Sequence, residues 1–257
     1  MNQKERMLAG LPYKPWLDGL EEERTRCKEK IYELNCLHPR DRERIPELLK
    51  DLFGRTGEDV WLEPPFHCDY GWNIEVGDHF FANYNLTILD VGKVTIGSYV
   101  MIAPNVSLYT AGHPLHPASR DSGYEFGAPI TIGDHVWIGG NVVILPGVTI
   151  GDGSVIGAGS VVTRDIPAGV VAVGVPCRPV RPVPRRQCGE PGRAGWRTGC
   201  GEPLPGDPRH HGGGPGLLLA QFPLRRYRLL TAETAMKSGT AGDWRASDMA
   251  KHNPSAS

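Results

Sequence analysis

The sequence has no excess of either charge: 28 Lys and Arg stand against 29 Asp and Glu, a formal net charge of −1. No global basic field is present to hold nucleic acid. The six cysteines (27, 36, 68, 177, 188 and 200) form no CxxC pair, and reduced thiols in a cytosolic protein explain them most simply. The opening residues MNQKERMLAG contain no apolar h-region, so no signal peptide is expected. The apolar run 217–220 is far too short to span a bilayer. A soluble, cytoplasmic protein with neither membrane nor nucleic-acid partner is expected.

What the sequence does have is a six-residue period. From Ile132 an aliphatic residue opens each unit, at Ile132, Ile138, Ile144, Ile150, Ile156 and Val162. A second small or aliphatic residue recurs at Val136, Val142, Val148, Ser154, Ser160 and Ile166. Six residues fit neither a helix nor a simple hairpin sheet; they fit a short strand and a sharp corner, repeated. Side chains alternate along a strand, so each opener and the residue two before it face one interior. The third residue after each opener is His135, Asn141, Gly147, Gly153, Gly159 or Asp165, types that tolerate positive φ. Three strands and three corners close one triangular coil, and several coils must stack to bury a core. Earlier openers are Val76, Ala82 and Ile88, then, after a two-residue slip, Ile96, Ile102 and Leu108.

The flanks read differently. Residues 1–57 are expected to be helical: Asp18 is placed to cap a helix over EEERTRCKEKIYELN, with Cys27, Ile31 and Leu34 on one face. Pro39 ends that segment, and Ile45, Leu48, Leu49 and Leu52 mark a second stripe. The solenoid occupies 58–184, broken by an excursion over 109–129 that holds prolines, glycines and two histidines. A twenty-residue interruption of a strict repeat points to function, because loops on a rigid scaffold carry chemistry. Residues 185–257 are Gly-, Pro- and Arg-rich without a period, so this tail is expected to be disordered. A shifted reading frame in a GC-rich gene would produce such a tail.

His113, in Gly112-His113-Pro114, lies inside the excursion. Histidine is the side chain best suited to take a proton near neutral pH.

Several stretches resemble the maltose and galactoside O-acetyltransferases, a branch of the hexapeptide-repeat acyltransferases that includes the nodulation acetyltransferases. They are FHCDYGWNIEVGDHFFANYN, LDVGKVTIG, APNVSLYTAGHPLHP, the hexads from Ile132 to Pro167, and VGVPCRPVR. The likeness runs from about Glu5 to Val183 and includes the helical segment. It implies a left-handed parallel β-helix, a homotrimer with active sites between adjacent solenoids, and direct acetyl transfer from acetyl-CoA to a sugar hydroxyl without a metal.

The same resemblance implies site residues. His113, in TAGHP, is the general base. Asn83, in FFAN, helps hold the acceptor and the developing charge. Asp18 and Asp69 fall where relatives contact the sugar. Asp69, Val91 and Phe81 each depart from the galactoside enzyme, which favours glucose- or maltose-like acceptors. For acetyl-CoA the implied residues are Trp137, Gly140, Ala158, Thr163, Arg164, Arg178 and Arg181. Small corner residues leave the backbone open to pantetheine amides, and guanidinium groups suit its phosphates. Galactosides, oligosaccharides or antibiotics are alternative acceptors. A γ-carbonic-anhydrase-type zinc enzyme would need three convergent histidines, of which His113 and His116 supply two, and a non-catalytic assembly solenoid is the third class.

Overall fold

The computed structural model describes residues 1–184; the tail expected to be disordered, with Cys188 and Cys200, lies outside the described residues. Strands of two to five residues wind into a parallel β-helix of about six turns. Sheet 1 contains Ile74–Val76, Val94–Ile96, Ile130–Ile132 and Thr149–Ile150. Sheet 2 contains Trp61–Leu62, Phe81–Ala82, Met101–Ile102, Trp137–Ile138, Val155–Ile156 and Val170–Val173. Sheet 3 contains Phe66–Cys68, Leu86–Leu89, Ser107–Tyr109, Val143–Ile144 and Val161–Val162. The chain visits them in rotation, and neighbouring turns pair in parallel. An antiparallel strand, Arg178–Pro182, closes sheet 2.

The period explains the register. Openers stack on openers: Val76 on Ile96, Ile132 and Ile150; Ala82 on Ile102, Ile138 and Ile156; Ile88 on Leu108, Ile144 and Val162. Every one is buried, as are the partners from Val136 to Ile166. The corner residues His135, Asn141, Gly147, Gly153 and Gly159 all have positive φ. Asp165 does not share that conformation; its carboxylate instead accepts the Thr149 N–H at 2.8 Å, beside the bridge between Ile150 and Ile166.

Close approach makes one glycine strict. A Cβ on Gly139 would stand 2.6 Å from the Ala158 nitrogen and 2.9 Å from the Ile156 oxygen, both backbone atoms of the next turn. Gly139→Ala is therefore expected to cost about 1–3 kcal/mol. A lowered thermal midpoint with unchanged oligomer size would show it.

Helices close the first end of the core. Helix α1 (Gln3–Leu8) leads to helix α2 (Leu20–Asn35), a 3-10 segment (Pro39–Arg44) and helix α3 (Ile45–Leu52). From α2, Cys27, Ile31 and Leu34 join Ile45, Leu49 and Leu52 of α3 in the cluster that continues into the solenoid. The outermost strand of sheet 3 would expose an unpaired edge, a liability that proteins cover. Here Asn35 covers it, accepting the Phe66 N–H at 2.8 Å and donating to the Phe66 carbonyl at 2.9 Å. The buried Cys27 and Cys68 thiols face each other at 3.5 Å beside this contact. Asp18 does not cap α2. With φ of 55° at Asp18 and 83° at Gly19, the chain turns its carboxylate away to accept the Gln3 N–H at 2.7 Å, so Asp18 serves the first N–H of α1, whose N-cap is Asn2. Among the described residues, no helix is long and apolar enough to cross a membrane.

Candidate active site

The edge where sheet 3 turns into sheet 1 is the irregular one. Here the early turns carry two extra residues, between Cys68 and Val76 and between Ile88 and Ile96. The buried Asp90 carboxylate gathers the first of these corners, accepting N–H groups from Asp69 at 2.8 Å, Tyr70 at 3.0 Å and Gly71 at 2.7 Å. Burial pushes this carboxyl up to about 6, while the backbone donors of Tyr70 and Asp69 draw it down.

The excursion leaves and returns at the same edge. Buried Thr110 holds its base: the Oγ accepts the Gly92 N–H at 2.8 Å and the carbonyl accepts the Ala128 N–H at 2.9 Å. Ala111–Gly112 then pairs antiparallel with Phe126–Gly127, and a short helix, Pro117–Asp121, forms the tip. His113 emerges directly from this ribbon and is exposed. Its neighbour Gly112 lies against the Phe126 ring, 2.8 Å from where a Cβ would stand. The glycine thus serves packing of the ribbon on itself.

Asp69 sits half-buried at this edge. Burial pushes its carboxyl above the ordinary range; Arg24 draws it back, Glu125 pushes it up again and Lys28 lowers it. Arg24 and Lys28 come from one face of α2, four residues apart, and Glu125 from the returning limb of the excursion. The group Asp69, Glu125 and Arg24 was not singled out by sequence reasoning. Its members share no local pattern, and only the α2 spacing of Arg24 and Lys28 could have signalled a common face.

The other expected residues lie elsewhere. Asn83 is at the corner between sheets 2 and 3, half-buried, its Oδ1 accepting the Tyr84 N–H at 2.8 Å. Further along the same corner, Gly140 and Ala158 are on adjacent turns, where the Gly159 N–H donates to the Gly140 carbonyl at 2.9 Å. Phe81 and Trp137 belong to one outward column of sheet 2, in register Trp61, Phe81, Met101, Trp137, Val155, Val171. Arg178 and Arg181 are exposed on the antiparallel strand that ends this sheet. Thr163 and Arg164 are exposed where sheet 3 turns toward sheet 1, on the His113 edge.

Sheet 3 therefore lies between two clusters of the expected residues, two candidate half-sites. His113, Asp69, Thr163 and Arg164 share one edge; Asn83, Gly140, Ala158, Phe81 and Trp137 share the other corner and the face beside it. Asp18, whose carboxylate accepts the Gln3 N–H, follows Trp16 by two residues, and the Trp16 ring lies against Gly123 of the excursion. Among the described residues no group of three His, Cys, Asp or Glu side chains converges as metal ligands would.

Comparisons with known proteins identify the family. Residues 6–57 match the maltose acetyltransferase hexapeptide capping motif, and residues 129–164 match six bacterial transferase hexapeptide repeats. The chain is 52% identical to the galactoside O-acetyltransferase of Escherichia coli (strain K12) over 183 residues, which is 71% of this chain and 90% of that protein. A solved galactoside acetyltransferase in complex with coenzyme A superposes with a TM-score of 0.70 at 52% identity, covering 72% of this chain and 92% of that one. A maltose O-acetyltransferase from Clostridium difficile 630 does so with a TM-score of 0.71 at 49% identity, covering 72% and 99%. With its capping helices, its hexads and its anchored excursion, the chain belongs to the maltose and galactoside O-acetyltransferase family of hexapeptide-repeat enzymes.

Proposed function

We propose that the protein moves an acetyl group from acetyl-CoA to a hydroxyl of a glucose- or maltose-like sugar, in the cytoplasm, as a homotrimer. The observation that carries this reading is the exposed His113 imidazole on an excursion pinned at its base, whose returning limb brings Glu125 within electrostatic reach of Asp69. A sugar alkoxide is too basic to form at neutral pH, so proton removal accompanies attack. His113 accepts the hydroxyl proton as that oxygen adds to the thioester carbonyl. The tetrahedral adduct collapses with cleavage of the C–S bond, and the CoA thiolate takes up the proton from His113. Asn83, a neutral amide, stabilises developing charge without titrating. Asp69 accepts hydrogen bonds from sugar hydroxyls. Gly140 and Ala158 present backbone to the pantetheine, Trp137 flanks the thioester, and Thr163, Arg164, Arg178 and Arg181 serve the phosphate-bearing end.

The two half-sites support assembly between chains: the His113 edge of one copy completes the Asn83 corner of the next. The apolar column of sheet 2, with Met101 52% exposed, gives that neighbour a surface to cover. His113→Ala and Asn83→Ala, each inactive alone, are expected to regain part of the wild-type turnover when co-refolded into mixed trimers, because some interfaces then hold both intact groups. No recovery in demonstrably mixed trimers would refute a shared site. Acceptor choice is tested with glucose, maltose, galactosides and chito-oligosaccharides under saturating acetyl-CoA, with glucose or maltose expected to give the highest kcat/KM.

A further inference from the structure

The segment joining α1 to α2 runs antiparallel along the returning limb of the excursion. A Cβ on Gly10 would stand 3.2 Å from the Gly127 carbonyl oxygen, and one on Gly123 would stand 2.0 Å from Cη2 of Trp16. Between these ends, the Tyr13 N–H donates to the Glu125 carbonyl at 2.9 Å and the Glu125 N–H donates back at 3.0 Å. Lys14 places its ammonium 5.2 Å from the centre of the Tyr124 ring. The limb is thus held on both sides, by residues 10–16 on one and by Ala111–Gly112 on the other, and His113 is the next residue of the latter strand.

Tyr13 is the centre of this contact. It is fully buried, among Met7, Leu20, Tyr70 and Val91, and its hydroxyl donates to Oε2 of Glu125 at 2.9 Å. We propose that Tyr13 is a positioning residue for catalysis: its hydroxyl and backbone clasp Glu125, and the clasped limb fixes the ribbon from which His113 projects. The inference rests on His113 being the base. Burial and the nearby Glu125 carboxylate raise the Tyr13 hydroxyl well above its ordinary pKa, so it remains a donor throughout the working range. Glu125 in turn lies within electrostatic reach of Asp69, so the same hydrogen bond orients a carboxylate at the acceptor side. The capping helices, on this reading, do more than close the end of the solenoid; the segment between them sets the active-site loop.

Tyr13→Phe keeps the buried ring and removes only the donor. Misplacement of a reacting group by a fraction of an ångström to an ångström lowers turnover steeply, so kcat is expected to fall about 10- to 100-fold. KM for acetyl-CoA should be unchanged within about twofold, since the wall assigned to that substrate is not touched. Hydrogen exchange over 111–127 should accelerate, the thermal midpoint should drop by only a few degrees, and Tyr13→Phe with Glu125→Ala should be no slower than Glu125→Ala alone. Unchanged kcat, an additive double variant, or a kcat loss without faster exchange in 111–127 would each overturn the proposal. His113→Ala measured in parallel separates the two claims: retained turnover there refutes the base, whereas the exchange result tests the clasp without reference to chemistry.

Discussion

His113→Ala is expected to lower kcat about 10²- to 10⁴-fold, the span that a positioned general base supplies. CoA release, followed with a thiol reagent under saturating acetyl-CoA and sugar, measures it. The fold should be indifferent to the change. His113 is exposed, and surface substitutions away from buried networks shift stability by about 0.5 kcal/mol or less. Loss of turnover with an unmoved melting curve therefore separates chemistry from folding. His116, which precedes the short helix at the tip of the excursion and is also exposed, is the internal control: His116→Ala should retain most of the activity. Equal turnover of wild type and His113→Ala would remove the mechanism, leaving the fold and the family untouched.

The repeating part of this molecule was readable from the sequence because its physics is local. An aliphatic opener every six residues fixes which side chains face inward, and the register of Ile102 on Ile138 and Ile156 follows directly. Corner chemistry was equally local, since Asn and His tolerate positive φ and Asn141 and His135 adopt it. His113 could be singled out because the rhythm fails around it. Residues whose partners are distant in sequence could not be placed that way. Tyr13 and Glu125 are 112 positions apart, and no local pattern announces their hydrogen bond. Asp18 shows how a sound local rule chooses the wrong helix. Its type suits a cap, but two consecutive positive-φ residues turn it back toward α1. The two-residue slip before Ile96 was visible as a spacing, yet the buried Asp90 carboxylate within it, collecting three N–H groups of the preceding turn's corner, was not.

That carboxylate is expected to be a sensitive position for stability. Asp90→Ala leaves the N–H groups of Asp69, Tyr70 and Gly71 without an acceptor at a buried corner. At about 1–2 kcal/mol for each orphaned donor, the loss is roughly 4 kcal/mol, or a midpoint lower by about 10 °C. Its pH dependence has a definite sign. Burial raises the folded carboxyl to about 6, so between about pH 4 and 6 the folded chain retains a proton that the unfolded chain has released. Stability contributed by Asp90 is therefore greatest below about pH 4 and declines as pH rises through about 6, by roughly 3 kcal/mol at most. Asp90→Asn keeps the shape but cannot titrate. The stability of wild type minus that of Asp90→Asn, measured by urea unfolding, should fall as pH is raised from 4 to 7. A difference that rises instead would mean that the three backbone donors outweigh burial and hold the carboxylate ionised. The corner that carries Asp69 would then be held by a full charge under all working conditions.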